Sequence, residues 1–144
     1  MSQYPLIGTW KMVTWQAVNR QTGDATYPLG EEATGLITYT PDGYVFVEIM
    51  AAGRTHIPDA VLFEAPTVEA AATANSHIAY CGRFEVTGDG KLIHHIDISS
   101  FPNWPGTSHD RNFEFLEGDR MKLSAPQFQI RGEEFDSYNI WERI

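Results

Sequence analysis

The sequence predicts an all-β chain of eight antiparallel strands, closed into an up-and-down barrel, with one short helix between the third and fourth strands. Three observations predict it. Short runs that alternate in polarity, or are rich in β-branched and aromatic residues, recur along the whole chain. Turn signals punctuate them at Pro41-Asp42-Gly43, Gly88-Asp89-Gly90 and Glu117-Gly118-Asp119. Hairpins of a few residues join several strands, and such a sheet keeps two open edges unless it closes on itself. A β-sandwich is the rival packing, because the long connection 51–77 could return the chain as a Greek key.

The first strand is expected over 8–18, the second and third over 35–40 and 44–50 around the Pro41-Asp42-Gly43 turn. Alternation there gives two candidate inner faces: Ile37, Tyr39, Tyr44, Phe46, Glu48 and Met50, or Leu36, Thr38, Val45, Val47 and Ile49. The facing of Glu48 stays open. Residues 67–75 are rich in alanine and follow Pro66, whose missing N–H costs little at a helix start, so a short helix is expected there. Strands over 78–87 and 91–99 follow. Pairing about Gly88-Asp89 sets Phe84 opposite His94, with Tyr80, Gly82 and Val86 beside Leu92, Ile96 and Ile98 on the apolar face. Arg83, Glu85, His95 and Asp97 then face out. The strand over 107–116 carries His109, Arg111, Phe113 and Phe115 on one side, and those over 120–125 and 135–143 complete the wall.

A chain of 144 residues suits one domain, 1–144. Its net charge of -9 disfavours nucleic acid as a partner. Cys81 is the single cysteine, which rules out an intramolecular disulfide. No apolar run has the length of a membrane span, and Met1-Ser2-Gln3-Tyr4-Pro5 lacks the basic and apolar segments of a signal peptide, so a cytoplasmic protein is expected.

Arg111 shares its inward face with two phenylalanines, and a guanidinium in an apolar interior needs a carboxylate, water or a ligand anion. It is the first candidate for a cavity anchor, with an internal pair to Glu48 as the structural alternative. His94 could act as a general acid or base, or be a buried histidine with satisfied hydrogen bonds. His109, inward by parity, could join it. Tyr80 and Tyr39 could offer hydroxyls to a ligand, while Phe84, Phe113, Phe115 and Trp104 could line its apolar part. If the protein is an enzyme, His94, Arg111 and Tyr80 would carry the chemistry. His94 and His95 point to opposite faces of a strand, so no metal site is expected. No phosphate loop or dinucleotide fingerprint is present, and no cofactor is expected.

Gly8-Thr9-Trp10 opens the first strand and Trp141-Glu142-Arg143 closes the last. With eight strands between them, the chain resembles a lipocalin, in which an arginine from the final strand covers the tryptophan of a Gly-x-Trp. More narrowly it is similar to the short lipocalin-like domain family of bacteria and fungi. The matching phrases include Leu6-Ile7-Gly8-Thr9-Trp10, Tyr27-Pro28-Leu29-Gly30, Ala33 to Tyr44, Ala79 to Val86, His94-His95 and Ser100 to Thr107. The resemblance implies a barrel with a ligand cavity and a floor made by Trp10 and Arg143. It implies a binder of small, largely apolar molecules or, alternatively, a cofactor-free isomerase or cyclase of polyketide- or terpene-like intermediates. A homodimer is a further expectation, because Val13 and Trp15 fall outside if Trp10 is inside.

Overall fold

The computed structural model describes residues 5–144, apart from the side chain of Gln127; the stretch 1–4, read above for a signal peptide, lies outside it. Its strands are β1 (Gly8–Asn19), β2 (Ala25–Thr26), β3 (Thr34–Tyr39), β4 (Tyr44–Met50), β5 (His77–Gly88), β6 (Lys91–Ser99), β7 (Ser108–Leu116), β8 (Arg120–Ile130) and β9 (Glu133–Arg143). From β3 to β9 each strand pairs antiparallel with the next, β1 pairs with β3, and pairing of β1 with β9 closes the ring. The eight-stranded barrel therefore stands, and the sandwich does not. The ninth strand, β2, is a two-residue addition beside Ala17 and Val18 of β1. Helix α1 (Thr67–Asn75) lies on the β4–β5 connection where the alanine-rich run predicts it, and none of its residues is buried.

The predicted Gly88-Asp89 hairpin forms, and Phe84 pairs with His94. At Pro41-Asp42-Gly43, pairing joins Tyr39 to Val45 and Ile37 to Val47. The buried face thus draws on both candidate sets: Ile37 and Tyr39 from the first, with Val45, Val47 and Ile49 from the second. Glu48 faces out and bonds His77 through Oε1 at 3.2 Å. Parity cannot be carried across a turn whose register is unknown.

Three interruptions of the two-residue alternation shape the interior. The first falls between Met12 and Thr14, where Val13 is the extra residue of β1. Val13 is exposed and Trp15 turns inward, where its indole Nε1 donates to Ser137 Oγ at 2.8 Å. The expected outward Val13–Trp15 patch does not exist, and the dimer surface built on it goes with it. The second interruption gives β6 an extra residue at Asp97, so that Ile98 pairs with Cys81 and is 68 % exposed instead of lying on the inner face. Gly82 permits this bulge: a Cβ there would stand 1.8 Å from the His95 carbonyl oxygen. The third spans Ala125 to Phe128, where Pro126, which has no N–H for the ladder, is absorbed in a register shift. The β8–β9 hairpin consequently runs on to Ile130 and Glu133, beyond the expected limits of 125 and 135.

The two ends of the barrel differ. At one, Trp10 is fully buried and its Nε1 donates to the Leu6 carbonyl at 2.9 Å. Arg143 stacks on it with 4.0 Å between guanidinium and ring centre. At the other, β5 and β7 begin and β4 ends, and the connections 51–76 and 100–107 flank an opening.

Candidate functional site

Inside the barrel, toward the open end, lies a cavity bounded by Trp15, Tyr80, Trp104, Arg111, Phe128 and Trp141. Aliphatic side chains of β3, β4, β5 and β8, with Ser137 and Asn139 of β9, supply the rest of its wall. Its open volume is about 70 Å³, well below the roughly 300 Å³ of a typical small-molecule pocket. The interior is narrow because large aromatics fill it. The outer surface has wider hollows, of about 350 Å³ over Phe46 and Ile98 and 650 Å³ between 51–57 and α1.

Register places the polar groups. His94 pairs with Phe84 on β5 and with His109 on β7, and Leu92 pairs with Arg111. Arg111 thus lies one inward step along β7 from His109. His94 is fully buried. Its Nε2 is 2.9 Å from the Tyr39 hydroxyl and its Nδ1 is 2.9 Å from the Tyr80 hydroxyl. Both ring nitrogens are therefore in use, and His94 touches the cavity only through Tyr80. Burial, with the positive charge of Arg111 and the neighbouring histidines, holds its pKa well below the ordinary 6.5. It is a neutral imidazole. Burial raises the pKa of both tyrosines, and Arg111 opposes the rise in each. Arg111 and Tyr80 line the same cavity.

Arg111 is half-buried and has no carboxylate within ion-pair distance among the described residues; Nη1 donates to the Asp110 carbonyl at 2.9 Å. The internal pair to Glu48 is absent, since Glu48 points outward. Trp104 meets Tyr80 edge-on at 5.6 Å and His109 at 4.9 Å between ring centres, so the Trp-Pro-Gly turn folds its indole into the rim. His109 Nε2 is 2.9 Å from Thr107 Oγ1. Burial and Arg111 lower its pKa from 6.5.

Of the residues singled out in the sequence, Arg111, Tyr80 and Trp104 meet at the cavity, with His109 at its rim and His94 and Tyr39 behind Tyr80. Phe84, Phe113 and Phe115 do not reach it. Phe84 packs edge-on against Tyr39 at 4.9 Å, within the core. Phe113 and Phe115 lie at the floor, where Phe115 stacks on Trp10 at 6.3 Å and is 43 % exposed. The length of β7 carries both away from the cavity, to the opposite end of the barrel. Sequence reasoning missed Trp15, Phe128 and Trp141 as cavity walls, the first two because each follows a bulge. No group of His, Cys, Asp and Glu among the described residues is arranged to hold a metal ion. None of the described helices is long and apolar enough to cross a membrane.

A closed antiparallel barrel with a stacked Trp–Arg floor, and a polar contact inside a mostly apolar hollow, defines the lipocalin-like class. Residues 7–144 match the lipocalin-like domain family, and the chain belongs to it. A relative, the 4'-hydroxy-3'-methoxypropiophenone carrier protein ppsC of Aspergillus oryzae, is 34% identical over 84 residues, covering 53% of this chain and 75% of that protein.

Proposed function

We propose that this protein binds a small, mostly apolar molecule by one oxygen-bearing end. Arg111 holds the oxygen, and Tyr80 flanks it. The observation that carries the reading is Arg111 itself: a half-buried guanidinium directed at a cavity, with no carboxylate partner among the described residues. Indole and phenyl faces at the mouth suit an aromatic ring, and the printed name of the Aspergillus relative makes an aryl ketone the first ligand class to try. A carrier fits the site better than an isomerase or cyclase, because His94 is enclosed and neutral and has both nitrogens engaged.

The test is titration with 4'-hydroxy-3'-methoxypropiophenone, followed by the fluorescence of the cavity tryptophans. Saturable quenching is expected, weakened at least tenfold by Arg111→Met. An absence of saturable binding, or an unchanged affinity in Arg111→Met, would overturn the reading. Consumption of the compound by the wild-type protein would favour catalysis instead.

A further inference from the structure

The Tyr39–His94–Tyr80 chain has a direction. A neutral imidazole carries one N–H, so one of its nitrogens donates and the other accepts. Tyr39 is fully buried, and His94 Nε2 is the partner recorded for its hydroxyl among the described residues. Were Nε2 protonated, it would donate to Tyr39, and the Tyr39 hydroxyl proton would be sealed in the core without an acceptor. With Tyr39 donating to Nε2, nothing is orphaned. The imidazole proton is then on Nδ1 and is donated to the Tyr80 oxygen. Arg111 is a cation that can only donate, and it lines the same cavity as Tyr80. The Tyr80 oxygen accepts from His94, so its own proton is not spent there and remains for the cavity that Tyr80 lines.

We infer that Tyr39 is a positioning residue which locks His94 in the Nδ1–H form, turns the Tyr80 hydroxyl into a donor aimed at the ligand, and so makes the Arg111–Tyr80 corner a subsite for a carbonyl-type oxygen. This rests on the ligand-binding reading above and specifies what that site selects. A ketone or carboxylate oxygen can accept from Tyr80 and Arg111 together. An alcohol can also accept, but it brings a proton of its own into a corner made of donors. Two further groups of the cavity agree. Trp141 Nε1–H is buried with no hydrogen-bond partner among the described residues, and the Ser137 oxygen already accepts from Trp15. Asn139 is the exception, its Nδ2 turned to the Met12 sulfur at 3.7 Å and its carbonyl oxygen free of that contact. It lies on β9, a different wall from Tyr80 on β5.

The experiment has two arms. Long-range ¹H–¹⁵N spectra of the ligand-free wild-type protein report the His94 tautomer: Nδ1–H is expected, shifting to a mixture or to Nε2–H in Tyr39→Phe. In the second arm, 4'-hydroxy-3'-methoxypropiophenone is compared with the alcohol made by reducing its ketone. The ketone is expected to bind at least tenfold more tightly to the wild type. That preference should fall to threefold or less in both Tyr39→Phe and Tyr80→Phe. Nε2–H in the wild-type protein would overturn the inference, as would equal binding of ketone and alcohol. A preference retained in Tyr39→Phe would overturn the role of Tyr39. Failure of both compounds to bind would sink the proposed aryl-ketone function and the selectivity with it, and the tautomer would still be decided by the spectra.

Discussion

Two arginines at opposite ends of the barrel show how the same side chain serves structure in one place and recognition in the other. Arg143 is committed in every direction. Its Nε donates to Asp119 Oδ1 at 3.1 Å, Nη1 to the Ile7 carbonyl at 2.9 Å and Nη2 to the Pro5 carbonyl at 2.7 Å, while its flat face covers Trp10. Arg111 bonds its own neighbour's carbonyl and lines the cavity together with Tyr80. A guanidinium with each of its three nitrogens bonded to the chain fixes the fold. One held in a hollow with donors to spare keeps them for something that is not part of the chain.

The largest consequence is for stability. Arg143→Met should lower the unfolding free energy in urea by roughly 2–4 kcal/mol, since it strips three charge-assisted hydrogen bonds and uncovers Trp10. Arg111→Met should change it by less than about 0.5 kcal/mol, because few native interactions are lost. Equal losses in the two variants would break the comparison.

The next effect is pH-dependent and belongs to the polar chain beside the cavity. His94 takes a proton near 6.5 when unfolded but resists it when folded, so below that pH the unfolded state binds more protons. Stability should therefore fall as pH drops from about 6.5, by up to about 1.4 kcal/mol per unit from this group, until the lower folded-state pKa is reached. His109 is shifted in the same direction and adds to the loss. Gln at position 94 can accept from one tyrosine and donate to the other, so His94→Gln should unfold with a shallower pH dependence between 6.5 and 5. An unchanged slope would remove His94 from the account.

The smallest effect separates the wall from the anchor. Trp15→Phe deletes the bond to Ser137 and should cost about 1 kcal/mol in denaturation while leaving the barrel closed. Its ligand-induced fluorescence change should shrink, with affinity altered less than in Arg111→Met. A loss of affinity as large as that of Arg111→Met would make the indole, and not the guanidinium, the dominant contact.

Much of this was legible in the residues. Alternation and turn chemistry act locally, so the strand count, the Phe84–His94 pair, the helix and the inward face of Arg111 follow from the sequence alone. The Trp10–Arg143 floor came instead from the likeness to lipocalins. What sequence patterns missed came from bulges and from distance. A single extra residue at Val13 reverses everything after it, which is how Trp15 moved from an imagined dimer surface to the cavity wall; Asp97 did the same to Ile98. Parity also says inward or outward but not how deep, so Phe113 and Phe115 could not be told from cavity residues.

The sequence by itself determined a closed wall of strands, the polarity of most of its faces and an arginine turned inside, because these depend on neighbours two or three residues apart. The tertiary structure decided the narrowness of the hollow, the sealing of His94 between two tyrosines, and the contrast between an Arg143 bonded through all three nitrogens and an Arg111 bonded through one. Those are relations among side chains from strands far apart in the chain, set by register and barrel closure, and no local pattern encodes them.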